Sequence, residues 1–377
     1  MSELDQYRAE IDEIDKKIVE LYERRMAVTE KVASYKIREG KRVLDPDREK
    51  AKIASVEAQT HNDFNRHGVQ ELFEQIMAMS RKKQYQLVAE SGSTNRLPFI
   101  PVDSLTGNGS FRVVYQGAPG SYSEAAMKQF FGPDVKNVNV QTFRDAMSAV
   151  DEGSADFAVL PIENSTAGTV AQTYDLLTEY ENYIVGEQII PIRHCLMSME
   201  GATEETIRTV YSHAQSLMQS EHFLSGHPEW QQVSMQNNAF AAQKVARDKD
   251  ITEAAIASKY AAEAYGLKII REGVNQSESN STRFIICTNQ KIFLRGAKKI
   301  SLSFEVKHES GSLYHALSHF IYNDLNMNRL ESRPIEGRNW EYRFFVDFDG
   351  NLEEPGVKNA LRGLRDETMN MQILGNY

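Results

Sequence analysis

The sequence predicts a chain of three folded regions: an all-helical region, an α/β region and an α+β region. Residues 1–90 hold one proline and two glycines, and their apolar positions follow helical spacing. Between residues 111 and 292, short apolar runs alternate with helical stretches, which is typical of an α/β domain with largely parallel strand pairing. Residues 298–377 follow the order βαββαβ of a ferredoxin-like fold. A length of 377 residues fits such a multi-domain chain.

Charge and composition exclude several classes of protein. The net charge of −10, without a long basic block, makes nucleic acid or an anionic membrane a poor partner. The start of the chain is charged and lacks the apolar segment of a signal peptide, and no apolar run approaches ~20 residues. We therefore expect a cytoplasmic protein. Cys195 and Cys287 lie in apolar runs without a metal-binding pattern, so we expect buried thiols and no metal site.

The first helix is predicted to be long and to need a partner. Its apolar residues recur at steps of three and four, at Leu4, Tyr7, Ile11, Ile14, Ile18, Leu21, Val28, Val32 and Tyr35. This stripe predicts a helix of about 35 residues that ends at Gly40. Asp45 and Pro46 are expected to open a second helix, and a third is predicted from about Val69 to Val88. The two shorter helices cannot cover the whole stripe, which predicts contact with a second copy of the chain.

Three cations lie along this stripe. Arg25 occupies a seam position between Leu21 and Val28, and Arg8 and Lys36 flank the same seam. A buried cation is costly unless it is paired, so the three side chains would fit a compact dianion. Salt bridges to neighbouring glutamates are the alternative explanation, and spacing alone does not exclude it.

The helical region resembles the all-helical chorismate mutase domain. The resemblance rests on the spacing of Arg8, Ile11, Asp15, Arg25, Lys36, Asp45, Arg48, Glu49, Ser80 and Gln84. It implies that Arg8 of a partner chain, together with Arg25 and Lys36, holds the two carboxylates and the ether oxygen of chorismate. Asp45, Arg48, Glu49, Ser80 and Gln84 would complete the pocket. Lys36 and Gln84 are the expected catalytic contacts to the ether oxygen, in a one-step rearrangement that uses no nucleophile, metal or cofactor.

Residues 91–110 read as a linker, and the following region, 111–292, carries polar segments at its strand ends. These segments are 117–123 (GAPGSYS), 161–165 (PIENS), 212–215 (SHAQ) and 280–284 (NSTRF). Polar loops at strand ends are where ligands bind in an α/β sheet, although each segment alone is more typical of a turn or a helix cap. Ser121 or Ser123, and Ser212, are placed to cap helices.

Together the four segments resemble the prephenate dehydratase domain. The resemblance implies a two-lobed fold like that of periplasmic binding proteins, and it implies that Thr282 is the catalytic residue, with its hydroxyl on the departing oxygen. Asn164, Ser212 and Gln215 are expected to donate hydrogen bonds to prephenate, and Arg283 to pair with a carboxylate. A proton relayed from Glu163 or from water is equally consistent. His213 is expected to have a structural role at a helix start.

The last region, 298–377, resembles an ACT domain, a small-ligand sensor. The matching residues are Gly311 and Leu313, in a loop before the first helix, and Glu331, Ser332, Arg333 and Pro334. They would bind phenylalanine as an allosteric ligand between two such domains. Ser312 and Tyr314 depart from the pattern of that loop, and a dimerisation module that has lost its ligand is the alternative.

The order of the three regions resembles the bifunctional chorismate mutase/prephenate dehydratase family of phenylalanine biosynthesis. This implies a homo-oligomer, at least a dimer, that converts chorismate to prephenate and prephenate to phenylpyruvate under feedback by phenylalanine. Three alternatives stay open. The middle region could act on arogenate, residues 111–377 could be a non-catalytic amino-acid sensor fused to a chorismate mutase, or only one of the two sites could work.

Overall fold

The computed structural model describes residues 2–91, 97–106, 110–277 and 279–377. They divide into two compact units, of which the first joins 1–97 with 298–373 and the second joins 98–297 with 374–377. The predicted helical and C-terminal regions therefore pack together within one unit. The predicted linker lies partly outside the described residues.

The helical part consists of three helices: α1 (Glu3–Arg38), α2 (Pro46–Glu57) and α3 (Asp63–Glu90). Gly40 follows α1 with a φ of +63°, a conformation that favours glycine, and this ends the helix as predicted. Asp45 caps α2 by accepting a hydrogen bond from the Arg48 amide (3.1 Å). The prediction for the start of α3 was wrong by six residues, because the first turns of that helix bury no side chain and so show no apolar periodicity.

The predicted stripe of α1 lies on the surface of its unit. All nine of its side chains are exposed, from 40% at Val32 to 62% at Leu21. The buried residues of α1 among the described ones are Thr29 and Ala33. Within a single chain, α2 and α3 therefore leave this apolar face uncovered.

The second unit contains two lobes that the chain visits in turn. The first lobe contains β1 (Ile100–Val102), β2 (Arg112–Gln116), α4 (Tyr122–Phe131), β3 (Lys136–Val140), α5 (Phe143–Asp151), β4 (Phe157–Asn164), β5 (Gly168–Thr169), α6 (Ala171–Glu179) and β6 (Tyr183–Pro191). The second lobe contains β7 (His194–Ser198), β8 (Thr209–His213), α7 (Ala214–Gln219), α8 (Glu221–Leu224), β9 (Gln231–Met235), α9 (Asn238–Asp248), β10 (Glu253–Ser258), α10 (Lys259–Tyr265) and β11 (Lys268–Glu272). The chain then returns to the first lobe through β12 (Ser281–Thr288) and β13 (Ile292–Leu294).

Each lobe is built on a five-stranded path of mixed direction. The order is β6-β12-β4-β2-β3 in the first lobe and β11-β7-β10-β8-β9 in the second. The expectation of largely parallel pairing was wrong, since β12 is antiparallel to both β4 and β6. The reason is that β12 re-enters the first lobe where β6 leaves it, with Ser281 opposite Pro191.

Each lobe has its own apolar core. Val113, Met127 and Val159 belong to the core of the first lobe, and Met197 and Val245 to that of the second. Cys195 and Cys287 are buried in the second and first lobes respectively, as predicted. Burial raises the pKa of both thiols, which is expected for packing residues.

The predicted linker contains a short strand that the sequence did not reveal. Ile100–Val102 pairs in parallel with Ile292–Leu294. The described residues 98–106 accordingly belong to the compact second unit. A three-residue strand is too short to produce a periodic pattern, so composition alone indicated a loop.

The C-terminal part of the first unit has the predicted order of elements. It contains β14 (Lys299–Glu305), α11 (Ser312–Ile321), β15 (Met327–Pro334), β16 (Tyr342–Asp349), α12 (Pro355–Glu367) and the first five residues of β17 (Met369–Asn376). The strands lie in the order β15-β16-β14-β17. We call this part the C-terminal module. No described helix of the chain is both long enough and apolar enough to cross a membrane.

Candidate active sites

Arg25 lies at the centre of the predicted mutase pocket, between α1 and α3. Its guanidinium donates to the hydroxyl of Ser80 and to the Ile76 carbonyl (3.3 Å). Burial lowers the pKa of Arg25, and nearby Tyr22 and Glu49 oppose this shift. Arg25 is therefore held by neutral partners, which leaves its positive charge available for an anion.

Lys36 approaches the same place from the end of α1. Its ammonium donates to the Val43 carbonyl (2.6 Å). Burial lowers the pKa of Lys36, and Asp45 and Glu49 oppose the shift. Because Glu49 acts on both Arg25 and Lys36, the structure brings these predicted residues into one electrostatic neighbourhood.

Gln84 is buried on α3, one turn after Ser80, and has capacity left for a ligand. Its amide nitrogen donates to the Ser80 carbonyl (3.2 Å). Its Oε1 is buried without a hydrogen-bond partner. A primary amide has two hydrogens and an acceptor oxygen, so one N–H and the oxygen of Gln84 are still free.

Arg8 is too far from this pocket to join it within one chain. It precedes Arg25 by 17 residues in the same helix, which corresponds to about 25 Å. Its side chain is 67% exposed, and its nearest carboxylate is that of Asp5, 4.0 Å away. The structure thus brings Arg25, Lys36, Asp45, Glu49, Ser80 and Gln84 close together and leaves Arg8 apart.

The predicted dehydratase site forms where the chain crosses between the lobes. Strand pairing sets Thr282, at the start of β12, opposite Asn164, at the end of β4. The amide nitrogen of Asn164 donates to Thr282 Oγ1 (2.9 Å). Because Thr282 accepts this hydrogen bond, the hydrogen of its own hydroxyl is free to be donated elsewhere.

Asn164 is itself held rigidly. Its Oδ1 accepts from the Thr166 amide (3.1 Å), the Thr166 hydroxyl (2.8 Å) and the Ala167 amide (2.9 Å). Its Nδ2 also donates to Asn280 Oδ1 (2.8 Å). Gln219 of the second lobe donates to Thr166 (2.8 Å) and accepts from Asn280 (3.1 Å), so hydrogen bonds from both lobes meet at this point.

A buried histidine contacts the side chain of Gln219. His194 Nε2 lies 3.1 Å from Gln219 Oε1, and Nδ1 lies 3.2 Å from the Tyr122 hydroxyl. Burial lowers the pKa of His194 to about 4, against the hydrogen bond with Gln219, which raises it. The imidazole is therefore neutral at physiological pH and serves as a fixed link between the lobes.

Arg283 faces away from Thr282. Neighbouring residues in a strand point to opposite faces of the sheet, and Arg283 is opposite Glu163 rather than Asn164. Its guanidinium lies 3.3 Å from both Glu163 and Glu187. Neither the predicted contact of Arg283 with substrate nor a relay from Glu163 to Thr282 is supported by this arrangement.

The segment 212–215 divides into buried and exposed positions. The prediction that Ser212 caps a helix was wrong, because Ser212 ends the buried part of β8 and its hydroxyl donates to the Ile256 carbonyl (2.6 Å). His213 is the residue that caps α7, through Nδ1 and the Gln215 amide (3.3 Å). This confirms the structural role predicted for His213. Gln215 lies exposed at the start of α7.

The glycines of the segment 117–123 are explained by packing between the lobes. Gly120 has a φ of +82°, and a Cβ atom there would lie 2.5 Å from Ala261 Cα at the start of α10. Its carbonyl accepts from Ser258 (2.5 Å). Ser121 caps α4, as predicted, by accepting from the Glu124 amide (3.3 Å). The segment therefore lies where the two lobes pack together, and its first serine caps α4.

In the C-terminal module, the predicted ligand residues occupy two elements. Residues 331–334 form the end of β15, where Ser332 and Pro334 are exposed. Gly311 precedes α11 with a φ of +80°, and Leu313 is half-buried in the first turn. Tyr314, the departure from the family pattern, accepts a hydrogen bond from Gln75 of α3 (3.1 Å). Its hydroxyl therefore contacts the helical part.

Sequence reasoning missed the residues that support these sites. Gln219 lies one turn after Gln215 in α7, and Asn280 begins the segment 280–284, but neither position stood out. Arg81, which bridges Glu49 and Glu367, reads as a surface residue in a polar stretch of α3. Within the described part of the chain, no cluster of histidine, cysteine and acidic side chains could hold a metal ion.

Two family models match the chain in the order of the two sites. The model for chorismate mutase type II matches residues 7–85, and the model for prephenate dehydratase matches residues 113–292. A bifunctional chorismate mutase/prephenate dehydratase of Aquifex aeolicus is 30% identical over 378 residues, covering 100% of this chain and 98% of that protein. The chain belongs to this bifunctional family. It is an enzyme with a chorismate mutase domain followed by a prephenate dehydratase domain.

Other similar proteins match 71% of this bifunctional enzyme. Arogenate dehydratase/prephenate dehydratase 6 of Arabidopsis thaliana is 36% identical over 285 residues, covering 71% of this chain and 69% of the plant protein. A prephenate dehydratase of Arthrobacter aurescens solved in complex with L-Phe is 28% identical, with a TM-score of 0.66, covering 71% of this chain and 89% of that one. GqqA, described as a quorum-quenching acylase, is 33% identical with a TM-score of 0.65 and covers 71% and 97%.

Proposed function

We propose that the mutase site rearranges chorismate to prephenate and that the dehydratase site converts prephenate to phenylpyruvate, carbon dioxide and water. The observation that carries the proposal is the hydrogen bond from Asn164 to Thr282. It fixes a hydroxyl with a free hydrogen at the junction of two lobes, which is where ligands bind in such folds.

In the mutase site, positioning and electrostatics supply the catalysis. As the carbon–oxygen bond of the enolpyruvyl ether breaks and the new carbon–carbon bond forms, negative charge develops on the ether oxygen. Lys36 and Gln84 stabilise that oxygen, and Arg25 holds a carboxylate with its guanidinium. Arg25 and Lys36 lie partly buried near one another, and Gln84 keeps one N–H free, which supports these roles.

The remaining pocket residues orient these groups. Ser80 accepts from Arg25 and thereby aims its guanidinium. Asp45 caps the helix that carries Arg48 and Glu49. We propose that Asp45, Arg48 and Glu49 complete the wall of the pocket and bind the ring side of chorismate.

The second carboxylate clamp, Arg8, comes from a partner chain in this proposal. Two observations support it: Arg8 is about 25 Å along α1 from Arg25, and the whole apolar stripe of α1 is exposed. A second copy that packs its own α1 on this stripe would cover the apolar surface and bring Arg8 to the pocket. The protein is therefore proposed to be a homo-oligomer, at least a dimer.

In the dehydratase site, Thr282 gives its free hydrogen to the departing ring hydroxyl of prephenate. As that C–O bond breaks, the electrons of the bond to the ring carboxylate enter the ring, and carbon dioxide leaves. The hydroxyl departs as water after gaining one proton. A threonine hydroxyl is a weak acid, so a water molecule has to return the proton to Thr282.

Asn164 donates to the substrate or to Thr282, whose hydroxyl it already orients. Gln215 is exposed on α7 and is proposed to contact prephenate as well. Ser212 and Arg283 remain predicted substrate contacts. In this structure the Ser212 hydroxyl contacts the Ile256 carbonyl and Asn238 Oδ1, and Arg283 contacts Glu163 and Glu187. No cofactor is needed for either reaction.

The C-terminal module is proposed to be an ACT domain of ferredoxin-like fold that binds phenylalanine. Its element order and its strand order β15-β16-β14-β17 support the fold. Gly311, Leu313 and residues 331–334 would form the ligand site between two modules. The domain boundaries proposed with it are 1–90, 111–292 and 298–377, with 91–110 as the linker, and a cytoplasmic location stays a prediction.

The hydroxyl of Thr282 tests the dehydratase assignment. Thr282→Val keeps the shape of the side chain but cannot donate a proton, so the turnover of prephenate should fall on the order of a hundredfold or more. Thr282→Ser is the matched control and should keep most of the activity. Full activity of Thr282→Val in an assay of phenylpyruvate would remove Thr282 from the mechanism.

A second substrate, arogenate, is favoured by one observation. The plant relative named as an arogenate dehydratase/prephenate dehydratase is 36% identical over most of its length. The two acids differ by an amino group in place of a keto oxygen on the side chain. Parallel measurement of kcat/KM for both substrates decides between them, and we expect prephenate to be preferred because the mutase domain of the same chain produces it.

Phenylalanine should lower the formation of phenylpyruvate by the purified protein if the module is a sensor. Direct binding of phenylalanine, measured by calorimetry, checks the ligand separately from activity. If the protein is active but does not bind phenylalanine, Tyr314→Val tests whether the tyrosine ring blocks the site. No binding by either protein would favour a module that only dimerises.

A further inference from the structure

The helix α3 is buried on two sides, although the stretch that does this is polar. Ser80, Arg81, Lys82, Gln84 and Tyr85 are each 7% exposed or less. Ser80 contacts Arg25 of α1 in the mutase pocket. Lys82 donates to Ser318 of the C-terminal module (3.0 Å), and Tyr85 donates to Asp366 (2.8 Å). The same turns of α3 thus contact the pocket on one side and the C-terminal module on the other.

Arg81 connects the two sides through a single guanidinium. Its Nη1 lies 2.5 Å from Glu49 Oε2, and its Nε lies 2.7 Å from Glu367 Oε1 at the end of α12. The other oxygen of Glu367 lies 3.0 Å from Nε2 of His319 in α11. The side chains of Arg81 and Glu367 are only 9% and 10% exposed, so solvent screens this contact weakly.

Within the series of ion pairs Glu49–Arg81–Glu367, Glu49 is the residue that faces the mutase pocket. It acts electrostatically on both Arg25 and Lys36. Without the ion pair to Arg81, the Glu49 carboxylate would be free to pair with Arg25 or Lys36. It would then neutralise a cation that is proposed to bind chorismate. The position of Glu49 therefore decides whether the pocket presents free positive charge.

We propose that Arg81 is a positioning residue of the mutase reaction and that Glu367 of the C-terminal module holds it in place. The planar fork of arginine suits this role, because it bonds two carboxylates at once in fixed directions. The C-terminal module thereby sets the charge of the mutase pocket, and any ligand that shifts α12 would alter mutase turnover. This inference rests on the proposed roles of Glu49, Arg25 and Lys36.

The test compares mutase and dehydratase kinetics in full-length variants. Glu367→Gln removes one charge from the link, and Arg81→Lys keeps the charge but loses the fork. Each should lower the mutase kcat/KM about tenfold and leave dehydratase kcat/KM on added prephenate within twofold. Tyr85→Phe is the matched control, since it breaks a bond from the same helix to Asp366 without touching Glu49, and it should keep mutase kcat/KM within twofold.

A double variant separates positioning from a general loss of structure. In a Glu49→Gln background, Glu367→Gln should cause no further loss of mutase kcat/KM beyond twofold, because its effect passes through Glu49. Thermal unfolding of every variant identifies any that fails to fold. If Glu367→Gln fails to fold, Arg81→Lys takes its place in the double variant. The proposal is overturned by unchanged mutase activity in both single variants, by parallel loss of mutase and dehydratase activity, or by losses that multiply in the double variant.

Failure of the underlying function would look different. Wild-type protein without mutase activity, or full mutase activity in Arg25→Ala, would contradict the pocket itself. Wild-type activity that depends on Arg25 but not on Arg81 or Glu367 would contradict only the link.

Discussion

At the scale of single residues, burial changes the chemistry of two basic side chains. Lys82 packs its ammonium over the ring of Tyr322, 3.0 Å from the ring centre, and donates to Ser318. Burial lowers the pKa of Lys82 to about 7, partly opposed by Glu367 and reinforced by Arg81. An amine with such a pKa is largely neutral above pH 7, where an exposed lysine is still charged.

Lys82 should make stability depend on alkaline pH. Between pH 7 and 9.5 the unfolded chain keeps a proton on Lys82 that the folded protein has lost, so the free energy of unfolding rises with pH. Compared with Lys82→Met, the wild type should gain about 3 kcal/mol across this window. Urea unfolding of both proteins at several pH values checks this. An equal slope for the two proteins would mean that the ammonium stays charged in the fold.

His194 should have an effect in the acidic range. Its pKa of about 4 in the fold is below the ordinary value of 6.5, so between pH 6.5 and 4 the unfolded chain binds the extra proton. Stability should therefore fall as the pH drops, by about 2 kcal/mol between pH 7 and pH 5 from this residue. Unfolding of His194→Gln over the same range should show a smaller loss. A loss as large as that of the wild type would show that other groups cause it.

At the scale of elements, strand alternation and helix length decide which residues can share a site. The strand β12 puts Thr282 on one face and Arg283 on the other, although they are adjacent in a motif. The helix α1 carries Arg8, Arg25 and Lys36 on one seam but spreads them over 28 residues. Residues that are adjacent or aligned in a sequence motif can therefore be separated in space by the geometry of the strand or helix that contains them.

Shared mutase sites can be detected by mixing inactive subunits. The Arg8→Ala and Arg25→Ala proteins should each lose mutase activity on the order of a hundredfold. If each pocket takes Arg8 from one chain and Arg25 from the other, a mixed dimer contains one intact pocket and one that lacks both residues. Random exchange of subunits should then restore about a quarter of wild-type activity, since half of the dimers are mixed. No recovery after verified exchange would place Arg8 outside the pocket.

At the scale of the whole molecule, two active sites share one chain and should fail independently. Arg25→Ala should stop phenylpyruvate formation from chorismate while leaving turnover of added prephenate near the wild-type rate, because Arg25 and Thr282 belong to different compact units. Thr282→Val should convert chorismate and accumulate prephenate. Chromatographic separation of the three acids checks both results. Loss of both activities in Arg25→Ala would contradict two separate sites.

Features that depend on local spacing and turn chemistry were predicted correctly from the sequence. The stripe of α1, the order βαββαβ and the caps at Asp45 and Ser121 follow from local spacing and turn chemistry, and the structure has them. The likeness of four short segments to a known family predicted that Asn164 and Thr282 lie together, and the two side chains share a hydrogen bond. Such features depend on residues close in sequence, so one sequence contains the whole signal.

Only the tertiary structure decided which elements far apart in the chain are in contact. Arg81 and Glu367 are 286 residues apart and read as surface charges, yet they meet in a buried ion pair. Gln219 reaches Thr166 and Asn280 because the chain leaves the first lobe and returns to it. The antiparallel course of β12 follows from the same crossing. Burial and pairing of polar groups are set by what packs on them, and periodicity within a segment says nothing about that partner.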